Sequence, residues 1–417
     1  MTLDVSGTLS GNVQVPPSKS VAHRMLICAA LAGEPCTILC RSINRDMEAT
    51  AACLNALGAD ITYSDGQFTV NPIKLVHKGA TLNCGESGST LRFLLPVAAA
   101  LGADATFIGQ GRLPERPLSP LYEEMTAHGI KMSPNGQMPL KCNGTLPAGT
   151  YTIDGGVSSQ FISGLLMALP LTGQESRIII TGKQESASYI GLTLNALKTF
   201  GINVDGVVIP GGQKYTTPHT RIAVEGDWSG AAFWITAGVT GSKPITCTGL
   251  DYASSAQGDR RIVDVLRAMG ADITTANGTV TARPSRLTAT QIDCADIPDL
   301  VPIMTVAAAS AQGTTVFDNV RRLRIKESDR IKSILELLAG AGISAYATEN
   351  TLTVTGGPAR DFAYNPSGDH RMAMAAAVLA SGKDIKICIA GAECTGKSYP
   401  GFFDEFNALG GDIKIEN

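Results

Sequence analysis

The sequence lacks the marks of several whole classes of protein. It has no excess of basic residues: 34 Lys and Arg stand against 37 Asp and Glu, a formal net charge of −3, so neither a nucleic-acid footprint nor a basic membrane-binding face is expected. It has no uninterrupted apolar run of the length a spanning helix needs. Its start, MTLDVSGTLSG, carries neither the charged nor the apolar region of a signal peptide. None of the 10 cysteines forms a C-x-x-C pair, and the 5 histidines are isolated. Cys36 and Cys40 lie closest together, and without a second pair or neighbouring histidines they read as buried thiols, not zinc ligands. These absences predict a cytoplasmic, reducing-compartment protein with no membrane or nucleic-acid partner and no structural metal.

What is present is periodicity. The chain is 417 residues long and 44% hydrophobic, enough for more than one core. A short polar residue precedes a run of small apolar residues at Ser20, Ser89, Ser159, Ser229, Asp299 and Asp369, spaced 69, 70, 70, 70 and 70 apart. A glycine that ends a helical pattern and precedes a strand-like stretch recurs at Gly58, Gly129, Gly201, Gly270, Gly342 and Gly410, spaced 71, 72, 69, 72 and 68 apart. Two independent punctuation marks keeping step six times imply six fused copies of one unit.

Each unit reads as strand, inner helix, strand, outer helix, hairpin. The inner helices, such as STLRFLLPVAAALG and DHRMAMAAAVLASG, are apolar nearly all round and should be shielded from water. The outer ones end in glycine before a hairpin whose turn is Asp65-Gly66 in the first copy and Asn277-Gly278 in the fourth. The last copy, FNALGGDIKIEN, stops after one strand, while MTLDVSGTLSGNVQVP precedes the first inner helix without a unit of its own. The economical reading is that the N-terminal strand completes the sixth unit. That gives two domains of three units: 14–226, and 1–13 with 227–417.

If the copies are alike, the inner-helix N-termini fall at equivalent places and face a shared cleft. Such ends carry partial positive charge and unpaired N–H groups, and so favour anions. The polar residues there include Ser18, Lys19, Ser20 and Arg24; Glu86, Ser87, Gly88, Ser89 and Arg92; Ser158, Ser159 and Gln160; Asp299; and Asp369, His370 and Arg371. Loops between units add Arg112, Arg116, Lys326, Arg330 and Lys397. Small, multiply charged anions are the expected ligands. Ser or Asp at a helix start is often only a cap, and Ser229 is read that way. Arg24, one turn into an apolar helix, calls for a functional or network role, since burying it unpaired costs several kcal/mol. The KESDR run from Lys326 to Arg330 fits either a solvated first turn or part of the site. Gly391 to Ser398 matches G-x-x-x-x-G-K-S, but Tyr399-Pro400-Gly401 follows at once and too little chain remains for a nucleotide-binding sheet, so a P-loop is rejected.

With PPSKSVAHR, GESGSTLR, RLPERPL, GGVSSQF, IPDLVP, LRIKESDRI, GDHRMAM and CTGKSYPGFF assembled, the chain resembles the EPSP synthase family, the 3-phosphoshikimate 1-carboxyvinyltransferases, over essentially its whole length. The resemblance implies an α/β fold, the two-domain inverse α/β barrel-like fold of the enolpyruvyl transferases, with three βαβαββ units per domain. It implies a monomer that transfers the enolpyruvyl group of phosphoenolpyruvate to the 5-hydroxyl of 3-phosphoshikimate, releasing phosphate, with no cofactor. By the same resemblance Lys19, Ser20, Arg24, Ser158, Ser159, Gln160, Ser186, Asp299 and Lys326 would contact 3-phosphoshikimate. Lys19, Gly88, Arg116, Gln160, Arg330, Arg371 and Lys397 would contact phosphoenolpyruvate. Asp299 would be the base, with Glu327 and Lys397 handling protons alongside Lys19. The motif Glu86-Ser87-Gly88-Ser89 and Phe93 depart from the family pattern near the expected phosphoenolpyruvate pocket. A sister activity, transfer to UDP-N-acetylglucosamine, is disfavoured because Gly111 stands where that family carries a reactive cysteine.

Overall fold

The computed structural model describes residues 1–217 and 219–416; Pro218 and Asn417 lie outside them. Twelve α-helices occur in the described residues. They are α1 (Lys19–Ala30), α2 (Arg45–Leu57), α3 (Gly88–Ala100), α4 (Leu121–Ala127), α5 (Ser159–Ala168) and α6 (Ala187–Thr199). Then come α7 (Trp228–Thr240), α8 (Ile262–Ala268), α9 (Val301–Ser310), α10 (Arg330–Gly340), α11 (His370–Lys383) and α12 (Phe402–Ala408). Odd numbers are the inner helices and even numbers the outer ones, six of each, in a mixed α/β fold. All six punctuating glycines have positive φ, between 75° and 114°. At Gly58 the reason is visible: its N–H closes the last turn of α2 onto Asn55 and Leu54, and an added Cβ would stand 2.2 Å from the Leu75 carbonyl oxygen.

The chain divides into two compact units, Lys19–Val224, and Met1–Ser18 with residues 225–416. The crossings therefore fall after residues 18 and 224, not after 13 and 226. Near these points the backbone pairs locally, Ser18 N–H to Glu225 O at 2.8 Å and Asp227 N–H to Pro16 O at 2.8 Å, which ties residues 16–18 to the C-terminal unit.

The N-terminal unit holds three sheets. The first orders Arg221–Ala223, Cys36–Leu39, Gln67–Asn71 and Asp60–Ser64; the second Thr81–Asn83, Ala105–Ile108, Leu140–Asn143 and Lys131–Met132; the third Thr150–Asp154, Ser176–Thr181 and Val208–Ile209. The leading strand of the first copy is thus Arg221–Ala223, parallel to Cys36–Leu39, and not the N-terminal segment. Gly164 lets α3 and α5 meet: a Cβ there would lie 2.3 Å from the Arg92 carbonyl oxygen.

In the C-terminal unit the N-terminal segment serves two sheets. Gly11–Gln14 runs parallel to Ile245–Thr248 and leads the fourth copy. Thr2–Gly7 lies antiparallel to both Ile387–Ala390 and Gly411–Glu416, supplying the strand the sixth copy lacks. The three inner helices α7, α9 and α11 pack on one another. They are apolar all round because they have no solvent face: Val301 to Ala309 are all buried, as are His370 to Ser381. Each unit has its own hydrophobic core. Among the described residues no helix is long and apolar enough to cross a membrane.

Candidate active site

The repeated polar residues sit where inner helices begin, but many helix caps are their neighbours. Ser87 caps α3 by accepting from Thr90 N–H, Ser158 caps α5 by accepting from Gln160 N–H, and Asp369 caps α11 by accepting from Arg371 N–H. Ser229 is not a cap, contrary to expectation. Asp227 caps α7, and the Ser229 hydroxyl donates to the carboxylate of Asp259. Asp299 lies in a 3-10 turn, Pro298–Leu300, ahead of α9.

In the N-terminal unit the starts of α3 and α5 form a connected polar cluster. Arg92, 3% exposed, donates from Nη1 to Gln160 Oε1 at 2.7 Å and from Nη2 to the Pro117 carbonyl at 3.0 Å. Gln160 Nε2 donates to Ser89 Oγ at 3.0 Å. Arg116 is brought to the same place: a Cβ on Gly88 would stand 2.7 Å from Arg116 Nη1 and 3.1 Å from Arg92 Nη1. Only a glycine leaves that guanidinium room at the first turn of α3. Lys19, the first residue of α1, reaches Asp46 Oδ2 at 3.0 Å. Ser186 precedes α6 with φ of 57°, and is buried.

Arg24 is held in a hydrogen-bond network. Its Nε donates to Thr193 Oγ1 at 2.7 Å, its Nη1 to the Ser20 carbonyl at 2.6 Å, and its Nη2 to Ser163 Oγ at 3.3 Å and the Tyr189 carbonyl at 3.0 Å. It also lies 4.8 Å from the centre of the Phe93 ring. Burial lowers its pKa to about 10, so it stays cationic. Arg112 does not join the cluster; it is exposed and faces Glu115.

In the C-terminal unit the centre is Arg330, the first residue of α10 and 1% exposed. Its three nitrogens each meet a different carboxylate at 2.8 Å: Nε with Asp369, Nη1 with Asp299 and Nη2 with Glu327. The KESDR run is therefore no solvated turn. Asp329 caps α10 and turns Arg330 inward. Burial would lower the Arg330 pKa, but Asp369, Glu327 and Asp299 together raise it above its ordinary value. Asp299 also meets Arg371 Nη2 at 3.2 Å and Lys326 Nζ at 3.5 Å. Burial pushes its carboxyl up, but Arg371, Lys326 and Arg330 outweigh that and hold it well below the usual carboxylate range. Lys326 is lowered to about 8, by burial first, with Arg322 and Arg330 adding to the effect against Asp299. Lys397, buried, ends the turn Ala392–Lys397. No helix starts at the Lys397-Ser398 pair, which disposes of the P-loop match.

Residues 3–406 match the family EPSP synthase (3-phosphoshikimate 1-carboxyvinyltransferase). The chain belongs to the EPSP synthase family. It is 43% identical over 413 residues to a Clostridium kluyveri protein named 3-phosphoshikimate 1-carboxyvinyltransferase, covering 97% of this chain and 96% of that one. A Clostridium acetobutylicum protein of the same name is 39% identical over 417 residues, covering 97% and 96%. Among solved structures, an EPSP synthase from Acinetobacter baumannii matches with a TM-score of 0.81 at 23% identity over all of both chains. The enolpyruvyl transferase NikO from Streptomyces tendae matches with a TM-score of 0.74 at 19% identity, over 99% of this chain and 98% of that one. These two likenesses establish the enolpyruvyl transferase fold.

Against that family background, two carboxylates stand out that the sequence reading passed over. Asp46 faces Lys19. Asp259 is buried beside Ser229, and burial followed by the charge of Asp299 raises its pKa to about 7 against the pull of Arg371. Nothing in the sequence pattern of Asp46 separates it from an ordinary acidic first turn, since Glu48 stands two residues on. Asp259, in the run Gln257-Gly258-Asp259, could have been suspected only from its place between two apolar helices.

Proposed function

We propose that this chain transfers the carboxyvinyl group of phosphoenolpyruvate to the 5-hydroxyl of 3-phosphoshikimate, releasing inorganic phosphate. The observation that carries the proposal is the ionised, half-buried Asp299 held between Arg330, Arg371 and Lys326, in a chain of the EPSP synthase family. The 5-hydroxyl oxygen adds to C2 of phosphoenolpyruvate while C3 gains a proton. Loss of a C3 proton and of phosphate then restores the double bond. Asp299 accepts the hydroxyl proton. Held by three cations it is a weak base, and its proton affinity rises as the substrates' anionic groups draw on Lys326 and Arg371. Glu327 and Lys397 move the protons at C3 and the leaving phosphate.

Lys19, Ser20, Arg24, Ser158, Ser159, Gln160, Ser186 and Lys326 bind 3-phosphoshikimate in this reading. Lys19, Gly88, Arg116, Gln160, Arg330, Arg371 and Lys397 bind phosphoenolpyruvate. Guanidinium forks suit phosphate and carboxylate, and a glycine at a helix start lets an anion approach the N–H groups. Positioning and fixed charge supply most of the acceleration. The protein works as a monomer in the cytoplasm; that its ten cysteines are free, eight of them buried, suits a reducing compartment.

Phosphate release is the direct test. Turnover is expected with phosphoenolpyruvate and 3-phosphoshikimate and not with UDP-N-acetylglucosamine; release only with the nucleotide sugar overturns the proposal.

A further inference from the structure

In the N-terminal unit, helices α1 and α2 are joined by two polar rungs one helical turn apart. Lys19 meets Asp46 at 3.0 Å, and four residues further along each helix His23 Nδ1 meets Thr50 Oγ1 at 2.7 Å. The second rung continues into α3: Thr50 Oγ1 pairs with Thr90 Oγ1 at 2.7 Å, and Thr90 Oγ1 donates to Ser87 Oγ at 2.7 Å. Ser87 is the cap immediately before Gly88, the residue against which Arg116 rests. His23, Thr50, Thr90 and Ser87 are wholly buried. Burial lowers His23 to a pKa of about 3, so that rung is neutral and the Lys19–Asp46 rung is its one ionic member.

We propose that Asp46 is a positioning residue for the reaction: its carboxylate fixes the Lys19 ammonium, and the ladder behind it sets that ammonium in register with the Gly88 start of α3. Lysine has a long flexible stem and holds no direction by itself, so a fixed counter-charge is what gives it one. Asp46 is suited to the task. It is 5% exposed and lies in the first turn of α2, where Asn44 caps the helix and the dipole favours a carboxylate. Its own carbonyl lies 3.5 Å from the Thr90 hydroxyl of α3. The inference rests on the proposed role of Lys19 in binding both substrates.

The test compares the full-length enzyme with Asp46→Asn, Asp46→Glu, Lys19→Met and the double variant Lys19→Met/Asp46→Asn. Turnover is read by phosphate release, 3-phosphoshikimate affinity by calorimetry and folding by melting temperature. A misplacement of about 1 Å costs on the order of 100-fold, so kcat/KM of Asp46→Asn is expected to fall by roughly 10- to 100-fold at near-native melting temperature. Asp46→Glu, which keeps the counter-charge, should recover part of that loss. In the Lys19→Met background, Asp46→Asn should change 3-phosphoshikimate affinity by less than about two-fold, because the group through which Asp46 acts is gone. An equal affinity loss in both backgrounds, or no recovery by Asp46→Glu, makes Asp46 merely structural and overturns the inference. Tighter binding by Asp46→Asn also overturns it, since the ion pair would then be holding Lys19 away from substrate. A wild-type enzyme that turns over its substrates while Asp46→Asn is unimpaired sinks this inference alone; a wild type that releases no phosphate sinks the proposed function with it.

Discussion

Replacing Arg330 by glutamine removes the centre of a balanced cluster. Asp299, Glu327 and Asp369 supply three negative charges there, and Arg330, Arg371 and Lys326 three positive ones. Asp369 has no exposure at all, and Arg330 is its one ion-pair partner among Arg and Lys in the described residues. Without the guanidinium, three charge-assisted bonds of 2.8 Å are lost together and the cluster is left one charge short, and at Asp369 water cannot make up the difference. Removing one partner of a buried ion pair typically costs about 3–5 kcal/mol. For a unit of about 200 residues each kcal/mol lowers the melting temperature by roughly 2–4 °C, so a fall of about 6–20 °C is expected by scanning calorimetry. Arg330→Lys, which keeps a charge but cannot fork toward three carboxylates, should fall between glutamine and wild type. A change of under about 2 °C for Arg330→Gln would refute the reasoning, for it would mean that the carboxylates are satisfied without the guanidinium.

Gly88→Ala places a methyl group 2.7 Å from Arg116 Nη1, so that flexible guanidinium must swing away; KM for phosphoenolpyruvate should rise on the order of 10-fold with melting little changed, and an unaltered KM would place Arg116 outside the binding set. Lys326 loses its proton as pH rises through about 8, so it is cationic below that pH and neutral above it. KM for 3-phosphoshikimate is therefore expected to climb across that range, and Lys326→Arg, charged to pH ~12, should remove the climb. A KM independent of pH from about 7 to about 9 would dissociate Lys326 from substrate. Gly164→Val should lower the melting temperature by several degrees, since even its Cβ would lie 2.3 Å from the Arg92 carbonyl oxygen, and backbone cannot yield as a side chain can.

The repeat was readable because it is written in local chemistry. A glycine that must adopt positive φ, as Gly58 does, marks a helix end whatever surrounds it, and small apolar runs mark helices that will be enclosed. The roles of particular polar residues were less readable, because a serine or aspartate near a helix start looks the same whether it caps, like Ser87, or reaches sideways, like Ser229 toward Asp259. Arg24 shows the same ambiguity: its spacing marked it as more than surface, but its side-chain hydroxyl partners and the Tyr189 carbonyl come from α5 and α6, more than a hundred residues away.

By itself, then, the sequence determined the number of units, their helix and hairpin punctuation, the enclosed inner helices and the polar starts at which charge would gather, since each depends on residues within a turn or two of one another. Tertiary structure alone decided which charges meet. That the strand leading the first copy comes from Arg221–Ala223, that Arg330 is shared by three carboxylates and that Asp46 faces Lys19 all follow from how separate segments pack, and a partner's distance along the chain leaves no local mark on the residue that finds it.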